Sequence, residues 1–157
     1  MVGPSEPRAG EAEAAQEAGR LLAEAGAVIV CGGMGGAMEA ACRGAKAAGG
    51  TTVGILPGSR RDDANAFVDV AIPTGLGEAR NALVVRAADA LLAVGGAYGT
   101  LSEVALALRA GTPVVGLGTW ELARGGVPDE GIERADSPAE AVVRALRAAA
   151  RLGGPPQ

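Results

Sequence analysis

Histidine is absent from the 157 residues, and lysine occurs once, at Lys46. The first absence excludes zinc sites that use imidazole, His-based triads and histidine acid/base catalysis. Lys46 falls inside a helical stretch, which argues against Schiff-base or pyridoxal-phosphate chemistry, lysine decarboxylation included. The only cysteines, Cys31 and Cys42, do not form a CxxC pair, and no metal site is expected. Aromatic residues make up 2% of the chain and the formal charge is -4, so a nucleic-acid surface of basic patches and stacking rings is not expected. No apolar run approaches the ~20 residues of a membrane span, and the N-terminus lacks a basic segment followed by an apolar one. A cytoplasmic protein with a small-molecule partner is the expectation. Carboxylates, arginines and backbone amides remain to do any chemistry.

What is present is glycine, 26 residues of it, concentrated where apolar runs end. The central stretch is Leu91 to Glu103, LLAVGGAYGTLSE. An apolar run followed by Gly95, Gly96 and Gly99 predicts a buried parallel strand, a sharp turn and a helix starting near Thr100. Open amides and the positive end of the helix dipole at such a start attract a phosphate or carboxylate.

Along the chain, Val2-Gly3 reads as the end of a strand whose earlier part is missing, and Glu11 to Ala25 as a helix with Ala14, Ala18, Leu21, Leu22 and Ala25 on one face. Ala27 to Cys31 is an apolar strand. Gly32, Gly33, Met34, Gly35 and Gly36 form a second glycine turn before a helix over Ala37 to Ala48. A GxGxxG fingerprint from Gly33 would need glycine where Met38 stands, and the next strand, Thr52 to Leu56, ends in Pro57 rather than an acid, which argues against NAD. No GxxxxGK[ST] occurs, so the P-loop reading fails as well.

Pro57 to Ala66 is a polar loop. Its Arg60, Arg61, Asp62 and Asp63 read either as a solvated ion-pair cluster or as a flap whose arginines reach an anion. Phe67 to Ile72 alternates like a short strand, and Glu78 to Ala88 has helical spacing. Arg80 falls in the first turn of that helix, against the dipole, which marks it for function or for a salt bridge. Asp89 to Val94 is the central strand, and Thr100 to Ala110 is a helix apolar nearly all round, buried under the domain or in a subunit interface. Val114 to Leu117 is a strand, Gly118 to Gly131 a loop carrying Trp120, and Ile132 to Ala135 an edge strand. A closing helix runs from the Ser137 cap and Pro138 to Leu152. Residues 1–152 thus read as a single domain, and 153–157 as a flexible tail.

Strands alternating with helices predict an α/β fold, a Rossmann-like three-layer sandwich around a mostly parallel sheet. Ligands bind such sheets beyond the carboxyl ends of the strands. The turns at Gly3, Gly32 to Gly36, Pro57-Gly58 and Gly95 to Gly99 are therefore expected to meet at one cleft.

GGAYGTLSE resembles the PGGxGTxxE signature of the LOG family, and Arg80 lies where that family has its RKxxM arginine. VCGGMGGAMEAACRGAKAAGGTTVGILPG and ARNALVVRAADALLAVGGAYGTLSEVALAL look closest to the subgroup similar to molybdenum-cofactor carrier proteins. Val94 stands in place of the signature's proline, Asn81 of its lysine and Val84 of its methionine. The resemblance implies a Rossmann-like fold and a homodimer or homotetramer. It implies Gly95, Gly96, Gly99 and Thr100 as phosphate holders, with Glu103 and Arg80 as the catalytic pair where the family hydrolyses the N-glycosidic bond of nucleoside 5'-monophosphates.

The expected function is binding of a phosphorylated, nucleotide-like ligand such as the molybdenum cofactor or a nucleoside monophosphate, with no required cofactor. The alternative is a phosphoribohydrolase releasing free base and ribose 5-phosphate, and a third reading is a scaffold with a vestigial pocket. Thr100-x-x-Glu103 is also a capping box. Tyr98 reads as a stacking residue for a ligand base or as an aromatic packed on a neighbouring subunit. Met34 and Glu39 read as pocket-lining residues, or as a gap filler and a surface acid.

Overall fold

The computed structural model describes residues 1–152; the tail expected over 153–157 lies outside the described residues. Two three-stranded parallel sheets, β1 (Ile29–Cys31), β2 (Thr52–Leu56) and β3 (Val70–Pro73) in one, β4 (Leu91–Val94), β5 (Val114–Leu117) and β8 (Ile132–Ala135) in the other, follow the orders β1-β2-β3 and β4-β5-β8. Val2 joins them. It forms a parallel bridge with Ala93, donates to the Leu92 carbonyl at 3.0 Å and accepts from the Val94 amide at 3.0 Å, while the Met1 amine donates to the Val30 carbonyl at 2.5 Å. The order across the molecule is β3-β2-β1-Val2-β4-β5-β8, and its direction of progression reverses at Val2. Such a switch point is where open α/β sheets take their ligands.

Period-2 alternation divides β4 between two cores. Leu92 and Val94 face α1 (Glu11–Glu24), α2 (Ala37–Ala47) and α5 (Pro138–Leu152), while Leu91 and Ala93 face α3 (Asn81–Arg86) and α4 (Tyr98–Ala110). The three-layer sandwich expected from the alternating strands and helices is the one observed.

The α1–α2 crossing explains much of the alanine and glycine. Ala15, Ala18 and Gly19 of α1 and Ala40, Ala41, Gly44 and Ala45 of α2 are buried. A Cβ on Gly19 would overlap the Ala41 carbonyl and one on Gly44 the Gln16 carbonyl, so backbone packs on backbone. The buried stripe of α1 accordingly runs through Ala15 and Gly19, one step round from the leucine-centred face the spacing suggests.

Other boundaries differ for local reasons. Glu78 to Ala88 is a 3-10 turn over Gly77–Arg80 followed by the six-residue α3. The third strand begins at Val70 and includes Pro73, which is tolerated because β3 pairs only with β2 and is an edge. The stretch Gly118 to Gly131, expected as loop, contains an antiparallel hairpin of β6 (Leu122–Arg124) and β7 (Val127–Asp129), turning at Gly125-Gly126 with φ of 59° and 82°. The closing helix begins as expected, with Ser137 Oγ accepting the Glu140 amide at 3.2 Å.

Candidate functional site

The glycine turns meet around the switch point. A Cβ on Gly3 would lie 2.7 Å from Ala37 Cβ and 2.8 Å from the Val94 carbonyl oxygen, so the first turn is wedged between the start of α2 and the end of β4. Gly36, at φ 69°, passes against the Pro4 and Ser5 carbonyls, and the Ala37 amide donates to Pro4 O at 3.0 Å. The second turn is tied from the other side by Asn65, whose Nδ2 donates to Gly33 O at 3.2 Å and Met34 O at 2.9 Å. Pro57 and Gly58 accept from the Gly77 and Gly75 amides at 3.0 and 2.9 Å, which anchors the 3-10 turn carrying Arg80.

Arg80 is buried, and its Nη1 lies 3.4 Å from Glu103 Oε1. Its guanidinium lies against Gly32: a Cβ there would come within 2.6 Å of Nη2 and 2.8 Å of Met38 Sδ. Among the described residues, Arg80 Nε, Thr100 Oγ1 and Thr119 Oγ1 are buried without a hydrogen-bond partner. Unpartnered buried polar atoms are costly, by about 1–3 kcal/mol each, so each calls for an explanation.

Burial lifts the Glu103 carboxyl from the usual carboxylate range to about 7, a shift the Arg80 guanidinium opposes. Behind the second turn, Cys31 Sγ sits 3.6 Å from Cys42 Sγ and accepts the Gly33 amide at 3.3 Å. The bond from Cys42 holds the Cys31 thiol below its usual range and pushes Cys42 above it.

α4 begins two residues earlier than the sequence suggests, at Tyr98 with Ala97 as its cap residue, and among the described residues no side chain caps it. The capping-box reading of Thr100 and Glu103 is therefore overturned. Thr100 is the third helical residue rather than the cap, and Glu103 faces Arg80. Among the described residues the first-turn amides of α4 have no side-chain acceptor, the condition in which a helix start attracts anions. Gly95, at φ 61°, turns the chain into this helix start. The Glu11 carboxylate abuts it and also accepts the Arg8 amide at 2.7 Å.

Other sequence candidates divide. Gly32, Gly33, Gly95 and Thr100 are buried, as are Arg80 and Glu103; Met34, Gly35 and Gly36 are half-buried on the second turn, and Gly99 is exposed at the α4 start. Gly96 has a different task from a simple open amide: the Trp120 indole edge occupies the space a Cβ would need. Tyr98 is 82% exposed, its ring centroid 5.6 Å from that of Trp120. Glu39 is half-buried beside Gly35. Arg60 and Arg61 do not reach the cleft; Arg61 Nη1 donates to Ala71 O at 2.6 Å, and Arg60 pairs loosely with Asp62 in solvent. The polar loop contributes Asn65 instead. Nothing in the sequence marks Asn65, Met38 or Trp120 as a site residue, because their contacts cross between segments and no local spacing announces them. A cavity of about 520 Å³ lies at the opposite end of the sheet, among Ala27, Val28, Ala88 and Ala90, away from these groups.

A parallel sheet whose switch point is lined by two glycine turns, with a buried arginine–glutamate pair behind them, defines a Rossmann-like protein of the LOG type. The chain belongs to the SLOG cluster4 family, which it matches over residues 1–143. It is 45% identical over 128 residues to an uncharacterized protein of Archaeoglobus fulgidus, covering 82% of this chain and 80% of that one. Among solved structures it is similar to the molybdenum cofactor binding protein of Rippkaea orientalis, at 36% identity and TM-score 0.82 over 93% of this chain and 92% of that one. It is also similar to the molybdenum cofactor carrier protein of Chlamydomonas reinhardtii, at 34% identity and TM-score 0.81 over 95% and 96%.

Proposed function

We propose that the chain binds a small phosphorylated ligand, a nucleotide or a phosphate-bearing pterin such as the molybdenum cofactor, at the carboxyl end of its sheet. The observation that carries this is Arg80: a buried guanidinium with an unpartnered Nε, set between the Gly32 turn and α4. Its charge, the free first-turn amides of α4 and the unpartnered Thr100 hydroxyl are the donors a phosphate needs. The likeness to proteins described as binding or carrying the molybdenum cofactor supports the pterin branch.

A second reading, hydrolysis of a nucleoside 5'-monophosphate, is favoured by one observation. A carboxyl that titrates near 7 beside an arginine is suited to acid/base work at neutral pH. Water would add to the anomeric carbon as the carbon–nitrogen bond breaks, Glu103 taking or supplying the proton, and the base would leave with its nitrogen protonated.

The exposed apolar side chains of Val70, Ile72, Leu76 and Leu83 support a homodimer or homotetramer. Cys31 and Cys42, as free thiols, suit a reducing compartment such as the cytoplasm. The test of function incubates the protein and Glu103→Gln with a panel of nucleoside 5'-monophosphates, quantifies free base by chromatography and follows thermal unfolding. Stabilisation without base release supports the binding reading. Release lost in the variant makes the protein a hydrolase, and neither effect with any phosphorylated compound rejects both.

A further inference from the structure

Two of the chain's three aromatic residues stand together at the start of α4. The Trp120 indole is fixed: Nε1 donates to Ala97 O at 3.2 Å, and the ring edge lies against Gly96, where any side chain would collide with it. The Tyr98 ring leans on it, inclined at 34°, and stays 82% exposed. A large aromatic at the first residue of α4, backed by a held tryptophan and open to solvent, presents a ring face for stacking. The platform forms one wall of a cavity of about 370 Å³, within the size range of small-molecule sites. The opposite wall is formed by Pro4, Glu6, Arg8 and Glu11, which brings two carboxylates, with the Arg8 guanidinium between them in sequence, to the same space.

We propose that Tyr98, braced by Trp120, stacks the planar heterocycle of the ligand whose phosphate sits at the α4 start, and that the Glu6 and Glu11 carboxylates select rings with N–H donors on their edge. The ligand class is a phosphorylated 2-amino-4-oxo heterocycle, the edge shared by guanine and pterin. Two adjacent N–H donors match the two oxygens of a carboxylate, whereas adenine presents an acceptor nitrogen there, which a carboxylate repels. The inference rests on the phosphate site of the preceding subsection, since the phosphate fixes which ring reaches the platform.

Trp120 is the only tryptophan, so its fluorescence reports on the platform without a label. The experiment titrates ribose 5-phosphate, GMP and AMP, reading indole emission and calorimetric affinity in the wild type, Tyr98→Ala and Glu11→Gln. Ribose 5-phosphate is expected to bind without changing the emission. GMP is expected to quench it and to bind about tenfold more tightly than ribose 5-phosphate, the scale of one base–aromatic stack. Tyr98→Ala should remove that advantage and leave ribose 5-phosphate affinity unchanged, and Glu11→Gln should narrow the margin of GMP over AMP. Equal affinities for GMP and ribose 5-phosphate, or a GMP advantage that survives Tyr98→Ala, would overturn the ring subsite and leave the phosphate site standing. AMP binding as well as GMP would overturn the edge selection. Binding of none of the three would reject the phosphate site and the ring subsite together.

Discussion

Arg80 and Glu103 approach to 3.4 Å, Nη1 to Oε1, with about nine-tenths of each side chain covered, although they arise from a 3-10 turn and a helix 23 residues apart. This is a long and single contact for two buried charges. Desolvation outweighs it at the carboxyl, which is why Glu103 protonates near 7 despite its cationic neighbour. An anion drawn to Arg80 would compete with ionised Glu103 for the same guanidinium.

Glu103 binds its proton more tightly in the folded protein, so its contribution is fully present below the ordinary carboxylate pKa and is lost as pH rises through about 7. Denaturant unfolding from pH 5 to pH 8 should show the wild type losing up to about 3 kcal/mol from this group, since each tenfold tightening of the proton is worth about 1.36 kcal/mol. Glu103→Gln should flatten that slope. A wild-type slope unchanged by the substitution would contradict the assignment.

Ligand affinity should move in the same direction. Below pH 7 the neutral Glu103 leaves the Arg80 charge uncompensated, so affinity for a phosphate of constant charge should be higher at pH 6 than at pH 8. In Glu103→Gln that dependence should vanish. The dianion fraction of a monoester also changes over this range, so titrations with a phosphodiester ligand give the cleaner comparison.

Crowding of the helices makes a separate, structural prediction. Gly44→Ala places a methyl group on the Gln16 carbonyl across the α1–α2 crossing. The helices must part, at a cost of about 2 kcal/mol, and the melting temperature should fall by roughly 5 °C. Phosphate affinity at temperatures well below the melt should be unaffected, because the crossing is remote from the α4 start.

Gly99→Ala should do the reverse. The added methyl meets nothing within 4 Å, and alanine restricts the unfolded chain, so stability should hold or rise by about 0.5 kcal/mol. Affinity for ribose 5-phosphate should nevertheless drop, because the Cβ stands beside the first-turn amides. Thermal unfolding with and without ligand separates the two effects.

The sequence was most informative where a pattern is local. Thr52–Leu56, Val114–Leu117 and Ile132–Ala135 fall on the expected residues because each is a short apolar or alternating run bounded by turn residues. The Arg80–Glu103 pair was legible through the resemblance of Arg80 and GTLSE to family motifs, and through the placement of a cation at a helix start. Less legible were features set by partners distant in the chain. The start of α4 moved from Thr100 to Tyr98 because nothing caps it and the turn at Gly95 sets its entry. The β6–β7 hairpin was hidden in a polar, glycine-containing stretch without clear alternation. Asn65 holds the second glycine turn from 31 and 32 residues away, a contact no spacing rule could indicate.

Arg80 is proposed to hold the phosphate of a small ligand. Calorimetric titration of the wild type and Arg80→Gln with ribose 5-phosphate at pH 6 tests it most directly, since Glu103 is then largely neutral and the variant does not strand a buried charge. Saturable binding by the wild type is expected, with a loss of about tenfold or more in the variant, the scale of a charge-assisted hydrogen bond. Equal binding by both proteins would contradict it.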